Sequence, residues 1–416
     1  MQKSPVTKGG AKMEDEILVL KSSPEDFIVK EITRSYNVLE PEMQYSREEL
    51  KYPEGDEFTI FAMQKREWNT LQALGAIAST CGKGKKSVGF AGTKDRRAVS
   101  VQLCSIRGVD PNKLLSLRIP GIRINFAWKS SEQVKLGDLE GNAFEITAKP
   151  KIEQEKAIDI IKSNESKFGG LFPNYYGTQR FGYRNNNVKV GLSILKGNLE
   201  QAAMLFLTDS TNEDMPEAKE ARERLASEKD FSNAINYFPK HLKYERKIIS
   251  YLASYGPNYR EALRTLPRQL LMMFVHSVES EIFNGVVKSL YKEGHTKPER
   301  GELSCGLDSY GFPDYSKISK YEEGPAVLAS NIIGYETEHI SEYEKAALEE
   351  YGLTRESFKC KSMPELRAKG SFRAAFAPYK SFTVESHGEA FKLKFSLPSG
   401  SYATVLISEL QKQSNA

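Results

Sequence analysis

The spacing of apolar residues changes character twice along this 416-residue chain, and that double change limits the fold more than any single motif. Short β-prone runs come first: Ile17 to Lys21, Asp26 to Ile32, Glu57 to Met63, Ser87 to Ala91, Ala98 to Ile106 and Glu145 to Ala148. From Val188 to about Lys292 the spacing is helical, as in GLSILKGNLEQAAMLFLT. β character returns at Ser381 to Glu385 and Ala390 to Phe395, before LPSGSYATVLISEL, which reads as a turn and an amphipathic helix. A β, helical, β succession implies that the helical part is inserted into a β-rich domain whose sheet the C-terminus completes.

The length supports two domains, and the 39% hydrophobic content is enough for sizeable cores. The polar stretch MQKSPVTKGGAK predicts a frayed arm over roughly residues 1–14. Cys81, Cys104, Cys305 and Cys360 show no CxxC spacing, and no signal-peptide pattern opens the chain, so a reducing cytoplasm is the expected compartment. Apolar runs such as Leu270 to Val275 are too short for a membrane helix, and we expect no membrane partner. His241, His276, His295, His339 and His387 stand apart, so no metal site is expected. Neither GxxxxGK[ST] nor a helix-opening GxGxxG occurs, so no nucleotide cofactor is expected, and no protein partner is evident.

Net charge is only +4, but its distribution is uneven. After a helix that Asn69 or Thr70 caps and Gly82 ends, Lys83, Lys85, Lys86, Lys94, Arg96 and Arg97 surround a single acid, Asp95. The acid lies in GFAGTKDRRA, on a loop between two strand candidates, a favoured place for function. Two glycines would relax the backbone there, and neighbouring cations would hold the carboxylate ionised, ready to act as nucleophile or base. The plainer reading is an Asp that pairs with an Arg to pin a turn. For the cations, the plainer reading is a solvated face.

PEDFIVKE, GFAGTKDR, GNAFEI, NYYGTQRFG and LPSGSYATVLISEL occur in an order that resembles the TruD family of tRNA pseudouridine synthases, from Lys21 to Leu410. The resemblance implies an α+β protein: a pseudouridine-synthase catalytic fold on an antiparallel sheet, interrupted by a largely helical α/β TRUD insertion domain. The catalytic domain would comprise 1–184 and 371–416, and the insertion 185–370. The long helical stretch looks closer to archaeal or eukaryotic members than to bacterial ones. The implied activity is isomerisation of a uridine in tRNA, first of all uridine 13, without cofactor or metal. Asp95 matches the family's catalytic aspartate, and Asn142 and Phe144 its GNxF pair, with Phe144 in place of the base-stacking tyrosine of other synthases. Lys21, Phe27 and Glu31 match positions at the catalytic cleft, with Lys21 a possible ion-pair partner of Asp95. Arg180 in GTQRFG either binds RNA phosphate or locks a turn, while Ser399 and Tyr402 would close the sheet and wall the pocket. The alternatives are a non-catalytic RNA-binding protein of the same fold, or the same chemistry at another RNA position.

Overall fold

The computed structural model describes residues 16–20 and 22–413; the expected arm over 1–14 and Lys21 lie outside the described residues. Strands are β1 (Leu18–Leu20), β2 (Phe27–Thr33), β3 (Phe58–Arg66), β4 (Val88–Phe90), β5 (Val99–Arg107), β6 (Ile122–Ser130), β7 (Leu139–Pro150), β8 (Leu171–Pro173), β9 (Leu303–Leu307), β10 (Pro313–Lys320), β11 (Ala326–Ile332), β12 (Ser371–Ala374), β13 (Phe376–Pro378), β14 (Lys380–His387) and β15 (Ala390–Pro398). The helices are α1 (Thr70–Thr80), α2 (Pro111–Leu115), α3 (Gln154–Phe168), α4 (Asn187–Leu195), α5 (Leu199–Thr208), α6 (Pro216–Glu228), α7 (Phe231–Tyr237), α8 (Lys243–Tyr255), α9 (Tyr259–Arg264), α10 (Arg268–Lys292), α11 (Glu342–Glu350) and α12 (Ala403–Leu410). Two compact units result. The sheet unit holds described residues 16–172, 307–313 and 377–413, and the helical unit holds 173–306 and 314–376.

Among the described residues the sheet unit has a nine-stranded sheet in the order β14-β15-β7-β2-β5-β3-β6, with β1 paired to β7 and β4 to β5. Its pairings are antiparallel except β2 with β5, which run parallel. Strand β3 shows why FTIFAM lacks polar alternation: both of its faces are covered. Phe61 and Met63 pack with Leu74, Ile77 and Ala78 of α1, whereas Ile60 and Ala62 pack with Val101, Leu103 and Phe126 on the other face. Burying Leu74 and Ile77 contributes about 1.5–3 kcal/mol each. The Asn69 side chain starts α1 by accepting the Leu71 N–H at 2.9 Å, as the sequence predicts. The C-terminal return also forms: α12 packs on α3, where Asn164 donates to the Leu410 carbonyl at 2.9 Å.

Two motif glycines are required by close approach. A Cβ on Gly89 would lie 2.2 Å from the Val134 carbonyl oxygen, and one on Gly141 would lie 2.2 Å from that of Leu397. Neither Gly89 nor Gly92 takes a positive φ, which corrects the expectation of a relaxed backbone: Gly89 is there for space. The segment 307–313 joins the sheet unit, where Tyr310 stacks on Tyr36 with ring centroids 5.4 Å apart.

The helical unit is organised around α10, whose Leu271, Phe274, Val275, Val278, Ile282 and Val286 are buried. This is the one described helix long and apolar enough to cross a membrane by length and composition, and burial of these side chains makes it a core helix of this unit. A four-stranded sheet, β10-β9-β11-β12, completes the unit. Residues 173–184 belong here because Arg180 and Tyr176 bond to Ser280 and Asn284 of α10, which places the change of unit earlier than the expected 184/185 boundary.

Candidate active site

Strands β2, β7 and β15 bring Phe27, Glu31, Asn142, Phe144 and Phe395 onto one face of the sheet. Alternation along each strand does this once the register is set: Glu31 lies opposite Asn142, Val29 opposite Phe144, and Phe144 opposite Phe395. The Phe144 ring stacks on Phe395 at 5.4 Å and meets the edge of Phe27 at 6.1 Å, leaving 8% of the residue exposed. Glu31 is wholly buried. Its carboxylate accepts the Leu103 N–H at 2.9 Å and pairs with Lys94 Nζ at 2.8 Å.

Lys94 joins this face to the loop carrying Asp95. Its ammonium donates to Asn142 Oδ1 at 2.7 Å while pairing with Glu31, so it spans the two strands. An ammonium can only donate, which fixes Oδ1 toward Lys94 and turns the Asn142 amide N–H₂ elsewhere. Three more side chains hold the loop from behind. Thr70, at the start of α1, accepts the Lys94 N–H at 2.9 Å and donates to Gln102 at 3.1 Å. Gln102 donates to the Gly92 carbonyl at 2.9 Å. Lys65 Nζ donates to the carbonyls of Asp95 and Lys94 at 2.7 and 3.3 Å.

Burial pushes the Lys65 ammonium down to about 8, against the opposing pull of Asp95 and with repulsion from Lys94. Burial likewise drives the neighbouring Cys104 thiol well above its ordinary range, so that thiol stays neutral. Asp95 itself is half-buried. The arrangement is a half-exposed carboxylate on a short loop whose main chain is tied to three buried polar side chains, Lys65, Thr70 and Gln102, and whose preceding residue is anchored to β2 and β7.

The structure thus brings together Asp95, Glu31, Asn142, Phe144 and Phe27 of the predicted residues. Glu31 has no exposed surface to offer a ligand. Arg180 lies in the helical unit, where its guanidinium donates to Ser280 at 3.0 Å and sits 5.2 Å from the Tyr176 ring centre. Its own carbonyl accepts from Ser277, so both its side chain and its main chain are held against α10. Ser399 donates its N–H to the Glu140 carbonyl at 2.9 Å, closing the C-terminal turn on β7. Of the clustered cations, Lys83, Lys85, Lys86, Arg96 and Arg97 are exposed, and Lys94 is buried.

Lys65, Thr70 and Gln102 escape a motif search, yet the strands carry a signal for two of them. Phe61, Met63 and Lys65 alternate onto one face of β3, and Ile106, Cys104 and Gln102 onto the same face of β5, with Met63 opposite Gln102. Polar side chains occupy inward positions at neighbouring ends of two core strands. Inward polar groups need partners, and here the partner is the Asp95 loop.

A mixed sheet with a carboxylate loop braced against an aromatic-lined strand face fits the pseudouridine-synthase catalytic fold that the sequence motifs imply. The family model for tRNA pseudouridine synthase D (TruD) matches residues 12–410. Among curated relatives, the probable tRNA pseudouridine synthase D of Thermococcus sibiricus is 32% identical, covering 94% of each chain, and that of Methanopyrus kandleri is 34% identical, covering 85% of each. The crystal structure of the putative tRNA pseudouridine synthase D from Methanosarcina mazei superposes with a TM-score of 0.78 at 30% identity, covering 95% of this chain and 93% of that one. The chain belongs to the TruD family of tRNA pseudouridine synthases and is therefore an isomerase that acts on tRNA.

Proposed function

We propose that this enzyme isomerises uridine 13 of tRNA, with Asp95 as its catalytic carboxylate. The observation that carries the reading is the bracing of the Asp95 loop, through Lys94, to the strand face that holds Asn142 and Phe144. The target base leaves its stack at a cost of roughly a few kcal/mol. Contact with Phe144 offsets about 1–3 kcal/mol of that. Phe27 and Phe395 hold the Phe144 ring, and the Asn142 amide N–H₂, turned from Lys94, donates to a uracil carbonyl.

Asp95 then acts on the nucleotide as a nucleophile that is later released, or as a base toward a sugar proton that it later returns. The bond from C1′ to N1 breaks, the uracil turns, and a bond from C1′ to C5 forms. The proton lost from C5 is balanced by one gained at N1, so the reaction is redox-neutral. Glu31 positions Lys94 and Asn142 from behind the wall. In this reading the sheet unit is the catalytic domain and the helical unit the TRUD insertion, and the enzyme works in the cytoplasm.

Nucleotide-resolution pseudouridine mapping of tRNA incubated with the purified enzyme tests the site. Modification at position 13, lost when that uridine is replaced by cytidine, is the expected result. Modification confined to another position would replace uridine 13 as the target.

A further inference from the structure

We propose that Lys65 is a positioning residue for the reaction, acting on Asp95 through the main chain by gripping the carbonyls of Lys94 and Asp95; the inference rests on Asp95 being the catalytic group. Those two carbonyls belong to the peptide planes on either side of the Asp95 Cα. Fixing both planes fixes φ and ψ of Asp95, and with them the direction in which its carboxylate leaves the backbone. The bonds of 2.7 and 3.3 Å come from a side chain with no exposed surface, on a strand whose neighbouring inward residues, Phe61 and Met63, are apolar. Burying an ammonium costs several kcal/mol, and packing alone would be served as well by another methionine. What the lysine adds at this position is a charged donor, and charged donors hold carbonyls about twice as strongly as neutral ones.

Thr70 and Gln102 hold the loop at Gly92 and the Lys94 N–H, upstream of the reacting residue. Lys65 alone among the three grips the Asp95 carbonyl itself. The charged and titratable groups around its ammonium are Asp95, Lys94 and Cys104.

The test compares Lys65→Met, Lys65→Arg and Asp95→Asn with the wild-type enzyme. Single-turnover pseudouridine formation, tRNA affinity and melting temperature are measured on each preparation. Lys65→Met should be slowed about 10- to 100-fold, the scale of a slight misplacement of a reacting group. Its tRNA affinity should stay within about threefold, because the loss falls on the chemical step. A rate within about twofold of wild type overturns the inference, as does a loss confined to affinity. If Lys65→Met does not fold, the pH profile decides. The wild-type rate should fall as pH rises through about 8, where Lys65 discharges, and that limb should vanish in Lys65→Arg, whose guanidinium keeps its charge. A limb unchanged in Lys65→Arg overturns the inference. An inactive Asp95→Asn beside fully active Lys65 variants sinks the Lys65 role alone, whereas an active Asp95→Asn removes the catalytic assignment on which it stands.

Discussion

Each unit buries a network of charged side chains, and the two networks end differently. In the helical unit Arg222 is almost wholly buried and ties α6 to its surroundings, donating to Glu245 at 2.7 Å, Glu213 at 3.1 Å and the carbonyls of Phe206 and Leu207 at 3.0 and 2.9 Å. Arg184 adds a bond to the same Phe206 carbonyl at 3.0 Å. Every one of these donors is spent on a group of the same unit's interior, so the network closes on itself and fixes helices. In the sheet unit Lys65, Lys94 and Glu31 are as deeply buried, but their bonds converge on a short loop that carries a half-exposed acid. Buried charge is a weak sign of function by itself. The difference lies in where the network leads.

The sharpest way to break that distinction is to remove one partner from each network. Arg222→Leu and Glu31→Ala should each destabilise by about 3–5 kcal/mol, since each strands a buried charge. Below the melting transition, Arg222→Leu should keep its single-turnover rate. Glu31→Ala should lose rate as well, because Lys94 is released beside Asp95. Equal rates in the two folded variants would erase the difference drawn between the networks.

A somewhat smaller effect is expected from pH. Lys65 has a folded value of about 8 against an ordinary 10.5, so between these the unfolded chain binds the additional proton and stability rises with pH. The gain is about 3 kcal/mol, absent below the folded value and complete above the unfolded one. Chemical denaturation of wild type and Lys65→Met across that window should show the rise in the wild type only. The catalytic rate should move the opposite way, falling as Lys65 discharges. Stability and rate that rise together would contradict the role given to this lysine.

Phe144→Leu should have the smallest effect, a rate loss of about 1–3 kcal/mol from weakened contact with the base. The ring also packs on Phe27 and Phe395, so a lowered melting temperature should accompany it. A lowered melting temperature with unchanged single-turnover rate would leave Phe144 as packing alone.

Local signals made part of this molecule legible in the sequence. The Asn69 cap, the strand-flanked loop of Asp95, the helical middle and the C-terminal return all rest on neighbours in the chain. Strand β6 was not, because its burial does not alternate cleanly and a register shift interrupts its pairing with β3 between Phe61 and Met63. The sheet of β9 to β12 was hidden too: β10, PDYSKISK, is largely polar and solvent-facing, and the outer position leaves it no apolar stripe to show. At the site, Glu31 reads as a surface acid until its partners are known, and those lie 72 residues away at Leu103 and, somewhat nearer along the chain, at Lys94. Lys65 reaches Asp95 across 30 residues. Such roles depend on register between strands, which one-dimensional patterns do not carry.

In the function proposed above, Asp95 performs the chemistry while the rest of the site holds it in place. Single-turnover pseudouridine formation on tRNA by Asp95→Asn, with affinity and melting temperature taken on the same preparation, tests it most directly. No detectable pseudouridine is expected, with binding and melting close to wild type. Pseudouridine formed by the folded, tRNA-bound Asp95→Asn enzyme at a rate within about a hundredfold of wild type, roughly 3 kcal/mol, would contradict it.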